Sequence, residues 1–402
     1  MEPAMNEPAN KPAMNELRPD TLAVRGGLTR SNFDETSEGL FLTSGYVYSS
    51  AQEAEAAFKD EIDRFVYSRY GNPTVAMFEQ RMRLLEGAQA CFATATGMSA
   101  VFVALAALLG KGDRVVSARG LFGSCFVILD EILPRWGVET VFVDGSDLDQ
   151  WREALSEPAA AVFFESPSNP MQELVDIAAV CDLAHGAGAK VVVDNVFGTP
   201  VFSKPLEQGA DIIVYSATKH IDGQGRTMGG AILGTSEFIN GPVKNLMRHT
   251  GPSMSPFNAW VLLKGLETLS LRVERMAASA LVLAHALESH PKISRVVYPW
   301  LESHPQHDLA KRQMYGGGTV VTFELDGGKD DAFAVMNALT VVDISNNLGD
   351  AKSMITHPAT TTHRRLGPEG RLAVGITDGV LRVSVGLEDV RDLIEDFERA
   401  LS

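Results

Sequence analysis

The sequence predicts an α/β fold, a mostly parallel sheet flanked by helices and followed by a smaller C-terminal α/β domain. Three observations predict it. From about residue 73, short runs of β-branched residues alternate with segments of helical periodicity. The clearest strand run, KVVVD (190–194), is apolar along its length, as a strand covered on both faces must be. The chain of 402 residues, 45% apolar and 21% charged, is long enough for more than one core.

The elements follow in order. Residues 1–20 carry PAMNE at 3–7 and again at 12–16 and are expected to be disordered. They lack a basic segment followed by an apolar run, so they do not read as a signal peptide. Residues 21–65 read as an N-terminal arm, extended with a little helix. TVAMFEQRMRLLEG (74–87) has apolar residues at helical spacing, and CFATATGMSAVFVALAALLG (91–110) reads as a short polar stretch entering a buried helix. RVVSA (114–118) is a strand, and GSCFVILDEILPRWG (123–137) a helix stopped by Pro134 and Gly137. VETVFVDG, DLDQWREALS, AAVFFES and LVDIAAVCDLAHGAG then read strand, helix, strand, helix. KVVVDN, the turn FGTP, DIIVYS and MGGAILG add three more strands. Helical pattern runs from about 255 to 289, and the tail holds strands in GTVVTFEL, VVDI and LRVSVG separated by helices. The expected division is a main domain at 66–265 and a C-terminal domain at 266–402.

Composition narrows the function. A formal net charge of −16 argues against a nucleic-acid partner, which needs concentrated Lys and Arg. The longest strongly apolar run, VFVALAALL (101–109), is too short to span a bilayer, so no membrane association is expected. Cys91, Cys125 and Cys181 form no CxxC pair and no disulfide framework, which fits a reducing cytoplasm.

Three features point to a bound organic phosphate and ring. TATGMSA (94–100) places small residues and Gly97 just before a helix, whose free N–H groups favour an anion. No GxGxxG or GxxxxGK[ST] pattern accompanies it. Asp194 ends KVVVD at the carboxyl edge of the sheet, where it can pair with a protonated ring nitrogen, as pyridoxal phosphate requires. In YSATKH (215–220), Ser216 and Thr218 offer hydroxyls to a phosphate while Lys219 offers an amine that desolvation would make nucleophilic. Lys219 follows Asp194 by 25 residues, one strand-to-strand step, so both can reach one sheet edge.

The motifs YSRYGNPT (67–74), ATGM (95–98), ESPSNP (165–170), VVVDNVFGTP (191–200), YSATKH, THPATTTH (356–363) and LRVSVGLED (381–389) carry a resemblance. With them the chain resembles the cysteine/methionine-metabolism branch of pyridoxal-phosphate-dependent enzymes, from about residue 20 to the C-terminus. That branch includes cystathionine synthases and lyases, methionine lyase and homoserine-ester sulfhydrylases. The resemblance implies fold type I, with 66–265 as the cofactor-binding domain. It implies that Lys219 holds pyridoxal 5′-phosphate and shuttles protons, with Tyr67 as a second catalytic group. Asp194 would pair with the ring nitrogen and Asn169 would contact the ring oxygen. Gly97, Met98, Ser216 and Thr218 would line the phosphate cup. Tyr67 and Arg69 would reach the phosphate from a neighbouring subunit, which implies a homotetramer built from dimers with shared active sites. Arg382 would clamp the substrate carboxylate, with Asn347, Ser345 and Thr362 beside it. A charge inside the strand LRVSV needs such a partner.

One position departs from the family pattern. LFGSC (121–125) has Phe122 where members commonly carry a tyrosine, so stacking on the cofactor survives and the hydroxyl is lost. A leaving carboxylate needs an acid less than a leaving thiol does, because it departs as a stable anion. Residues 26–58 together with LFGSCF are similar, within the family, to sulfhydrylases acting on the succinyl ester. The implied reaction is γ-replacement of succinate by sulfide to give homocysteine, in methionine biosynthesis. Cystathionine γ-synthase, the O-acetyl-ester sulfhydrylase, a γ-lyase and a non-catalytic oligomeric scaffold remain alternatives. His220, His357 and His363 lack zinc-ligand spacing and read as loop hydrogen-bonding groups, so no metal is expected. Cys125 has no activating partner in the sequence and reads as a small buried group.

Overall fold

A computed structural model describes residues 14–402. The expectation of disorder falls mainly on residues 1–13, outside the described residues. Residues 14–20 depart from it, with a 3₁₀ turn at Met14–Glu16 and a helix entered at Pro19.

The main sheet has seven strands: β1 (Ala90–Thr94), β2 (Arg114–Ala118), β3 (Glu139–Val143), β4 (Ala161–Glu165), β5 (Lys190–Asp194), β6 (Ile212–Ser216) and β7 (Gly230–Gly234). Their order is β1-β7-β6-β5-β4-β2-β3, and β3, β2, β4, β5 and β6 run parallel while β7 is antiparallel to both its neighbours. Every residue of β4 is buried, because separate hydrophobic clusters cover the two faces of the sheet. β1 occupies the stretch expected to be a polar lead-in; its pairing with β7, with Ala93 opposite Ala231, is not a local signal.

Other boundaries also differ from expectation. The segment 123–137 changes its hydrogen bonding along its length, from an α-turn at Gly123–Val127 to a π-turn at Ile128–Ile132 and a 3₁₀ turn at Leu133–Trp136. Pro134 sits in the first turn of that last piece, where its missing N–H costs nothing, and Gly137 at φ 79 ends the segment. The helical stretch after 255 is two helices, Pro256–Leu266 and Leu269–Glu288.

The second sheet comprises β8 (Ile293–Val297), β9 (Val320–Leu325), β10 (Asp343–Ile344), β11 (Met354–Thr356) and β12 (Val380–Ser384) in the order β10-β11-β12-β9-β8. Only β10 and β11 are parallel, so this smaller unit is built by antiparallel pairing. β8 escaped the sequence reading. The helix Leu269–Glu288 joins the two units: Leu269 and Val273 pack in the core under the main sheet, and Ala280, Leu283 and Leu287 in the core of the second. The arm is fastened by Glu38, a buried carboxylate that accepts from Arg81 Nη2 (2.6 Å) and Lys264 Nζ, while Trp260 Nε1 donates to its carbonyl at 3.0 Å. No helix among the described residues is long and apolar enough to cross a membrane.

Candidate active site

The carboxyl ends of β4, β5 and β6 deliver Glu165, Asp194 and Ser216 to one edge of the main sheet, and the second sheet faces them with Arg382 of β12. Between them lies a cavity of about 240 Å³. Nine of the residues singled out from sequence line it: Gly97, Met98, Phe122, Asn169, Asp194, Ser216, Thr218, Lys219 and Arg382.

Lys219 lies just past β6, and its Nζ donates to Asn347 Oδ1 at 2.6 Å. Burial, and secondarily the charge of Arg382, lower its pKa to about 8. A neutral, nucleophilic amine is therefore accessible near physiological pH. Asp194 is pushed the other way, to about 7, by burial, against one stabilising bond from Val196 N at 3.0 Å. No cation of the described residues pairs with Asp194. A protonated ring nitrogen would supply the missing partner.

Beside it stands Glu165, in register with Asp194 across β4 and β5. Burial and then the Asp194 charge hold its carboxyl well above the usual range. Glu165 accepts from Phe122 N at 2.7 Å and Asn169 N at 3.3 Å, so one carboxyl fixes two walls of the cavity. Cys125 Sγ lies with these two carboxyls, all donor atoms within 4.8 Å of one another. Burial pushes the thiol up, so Cys125 is inert as a nucleophile.

The opposite end is an anion cradle. Thr96 caps the helix Gly97–Leu108, its Oγ1 accepting from Ser99 N at 3.0 Å. A Cβ on Gly97 would sit 2.5 Å from Ser216 Cβ, so only glycine lets the helix start approach the strand end. Ser216 and Thr218 add hydroxyls, the latter accepting from Gly229 N at 3.1 Å.

Arg382 is buried, and its partners are neutral. Nη1 donates to Asn169 Oδ1 at 2.9 Å and Nη2 to the carbonyls of Asn346 and Asn347 at 2.9 and 3.3 Å, while Nε has no partner among the described residues. Desolvation lowers its pKa to about 10, still charged at neutral pH. A buried guanidinium without a carboxylate is a receptor for one.

A family model described as Cys/Met metabolism PLP-dependent enzyme matches residues 20–402. The chain belongs to this family. It is 66% identical over 386 residues to the O-succinylhomoserine sulfhydrylase of Mycobacterium tuberculosis (strain H37Rv), covering 95% of each chain. It is 50% identical over 384 residues to the O-succinylhomoserine sulfhydrylase of Pseudomonas aeruginosa, again covering 95% of each. A Campylobacter jejuni structure carrying N′-pyridoxyl-lysine-5′-monophosphate superposes with a TM-score of 0.92 at 30% identity, covering 96% of this chain and 100% of that one. The fold is fold type I and the enzyme is pyridoxal-phosphate-dependent.

The cavity of this Cys/Met-family enzyme fits the cofactor on its own chemistry. It offers an amine of lowered basicity, a buried acid lacking a cation, and a helix start closed on a strand end by Gly97. Four of the residues singled out from sequence lie elsewhere. Tyr67 is 41% exposed, and the Arg69 guanidinium stacks between the rings of Tyr67 and Tyr70 and donates to Arg248 O. Ser345 lines a separate depression with Asn346 and His357, its Oγ accepting from Asn347 N at 3.2 Å. Thr362 lines a neighbouring cavity. Asn347 reaches the site through its bonds to Lys219 and Arg382 rather than through the cavity wall. The histidines hydrogen-bond within the fold: His220 to Thr319 at 2.7 Å, His357 to Asp378 O at 2.9 Å and His363 to Asn169 O at 3.1 Å. Glu165 was missed as a site residue; its signals were an acid ending the apolar strand AAVFFE and the first position of the motif ESPSNP.

Proposed function

We propose that this enzyme replaces the γ-acyloxy group of O-succinylhomoserine with sulfide, releasing homocysteine and succinate for methionine biosynthesis in the cytoplasm. The observation that carries the choice is Phe122 on the cavity wall: the ring can cover the cofactor, but it has no proton to give a leaving group. A carboxylate leaving group, with a reference pKa of about 4, needs none. The two relatives named as O-succinylhomoserine sulfhydrylases support the same choice.

Pyridoxal phosphate, when bound, supplies the electron sink that stabilises negative charge beside the substrate amine. The chain's residues do the rest. Arg382 binds the α-carboxylate through its unsatisfied Nε edge and fixes the substrate's orientation. Lys219 Nζ takes the proton from Cα and serves the proton transfer at Cβ that lets succinate leave Cγ. Sulfide then bonds to Cγ, and Lys219 returns the protons. Asp194 holds the charge that balances the ring nitrogen, and Glu165 keeps Phe122 and Asn169 on either side of the slot. Tyr67 and Arg69 reach the phosphate of a second subunit, in a homotetramer of dimers. The apolar side chains exposed along the arm, such as Phe33, Leu42 and Val47, support a covering partner.

The test is product analysis. O-succinylhomoserine with sulfide should give homocysteine and succinate in equal amounts, faster than O-succinylhomoserine with cysteine gives cystathionine. Dominant 2-oxobutanoate in the absence of a nucleophile would make the protein a γ-lyase, and dominant cystathionine a γ-synthase.

A further inference from the structure

A second cavity, of about 610 Å³, adjoins the cofactor cavity, and Met98 lines both. Its floor is apolar, with Phe102, Val127 and Ile128, and its rim carries Arg364 and Arg365. Neither guanidinium has a side-chain hydrogen bond or ion pair among the described residues. Two adjacent uncompensated cations are notable in a chain of net charge −16, and they make a local positive spot beside the active site.

The loop bearing them is tied to that site. His363 is buried; its Nε2 donates to Asn169 O at 3.1 Å and Leu121 O at 3.3 Å, and Thr362 Oγ1 donates to its Nδ1 at 2.8 Å. Thr361 Oγ1 donates to His357 O at 2.7 Å. On the facing side, Gly123 follows Phe122, and a Cβ there would lie 2.6 Å from Thr362 O. The missing side chain lets the loop close directly on the residue after the cofactor-covering ring. Arg364 and Arg365 thus leave the chain one and two residues past an anchor bonded to the cofactor wall.

We propose that this second cavity receives the acyl end of the substrate ester, and that Arg364 and Arg365 bind its terminal carboxylate. The proposal rests on the reading of a succinyl ester as donor. A succinyl group differs from an acetyl group by a methylene and a carboxylate. The apolar floor suits the methylenes, and a guanidinium fork suits the carboxylate, in a way a shorter, neutral acyl group cannot use. The pair acts in binding and specificity, with no part in bond making.

Holoenzyme carrying Arg364→Ala, Arg365→Ala, both together, or both as lysine tests it. The readouts are kcat/KM for O-succinylhomoserine and for O-acetylhomoserine with sulfide, and inhibition by free succinate against free acetate. In the double alanine variant the succinyl-to-acetyl ratio should fall about 10- to 100-fold, as expected for a lost charge-assisted pair, and the lysine pair should recover part of it. Succinate inhibition should weaken in parallel. Because both side chains are exposed, the single variants report even if the double variant folds poorly. A ratio within about twofold of wild type overturns the proposal, including when both rates fall together as a structural defect would make them. Wild-type enzyme that does not turn over O-succinylhomoserine overturns the substrate reading beneath it, which is a different result.

Discussion

Lys219 and Asp194 are ordinary residue types displaced from ordinary behaviour by burial, the amine down to about 8 and the acid up to about 7. The two shifts have one cause and opposite signs, because desolvation disfavours whichever form is charged. For cofactor-free protein this gives a pH dependence. The neutral amine of Lys219 increases as pH rises through about 8 and saturates above it. The rate at which added pyridoxal phosphate is captured, followed by visible absorbance, should therefore climb from pH 6 to 8 and flatten near pH 9. An unperturbed lysine, with a pKa of about 10.4, would still be climbing at pH 10. Both residues were legible in the sequence because Asp194, ending one apolar strand run, and Lys219, flanked by hydroxyls just past the next, stand one strand-to-strand step apart and read together as a cofactor site. Glu165 was not. Its role is set by Phe122 N and Asn169 N, which a strand-end acid in a linear sequence does not reveal.

On the proposed reading, the element that decides cofactor affinity is the start of the helix Gly97–Leu108, where TATGMSA meets β6. Gly97→Ala would drive a Cβ to 2.5 Å from Ser216 Cβ, and backbone or strand end must move. Overpacking of this kind costs about 1–3 kcal/mol. The variant should bind pyridoxal phosphate about 10-fold or more weakly in a fluorescence titration, since each 1.4 kcal/mol is tenfold. Ser99→Ala, two residues on, should bind nearly as wild type does. The parallel strands of the main sheet were legible from their apolar runs. β1 and β8 were not, since ACFAT mixes small and polar residues and ISRVV has two exposed positions. β1 is defined by an antiparallel partner far along the chain, β7, and β8 by pairing with β9 through a register shift between Ile293 and Arg295. The π-turn at Ile128–Ile132 is a hydrogen-bonding shift with no composition of its own.

At the scale of the whole molecule, the site needs two sheets and, on the proposed reading, two chains. The resemblance supplied the second sheet's contribution, Arg382, and the strand LRVSV showed why a charge there must have a partner. Ser345 and Thr362 were placed beside the substrate by the same resemblance, and they line depressions separate from the cavity at Lys219, Thr362 the one proposed for the acyl end. Tyr67 and Arg69 lie outside their own chain's cavity. If they complete a neighbour's site, Lys219→Ala and Arg69→Ala proteins, each inactive alone, should regain activity when unfolded together and refolded as mixed dimers. A mixture in which one combination restores an intact site should reach about a quarter of wild-type specific activity at most, in line with random pairing of shared sites. No recovery at all would place Arg69 outside any shared site.

On the proposed reading the enzyme is organised around the covalent attachment of its cofactor to Lys219. Borohydride reduction of the holoenzyme, followed by proteolysis and mass mapping, tests it most directly. A single pyridoxyl-modified peptide is expected, the one containing YSATKH, with the modification on Lys219. Modification of another lysine, or of none in protein that is fully loaded and active, would contradict it.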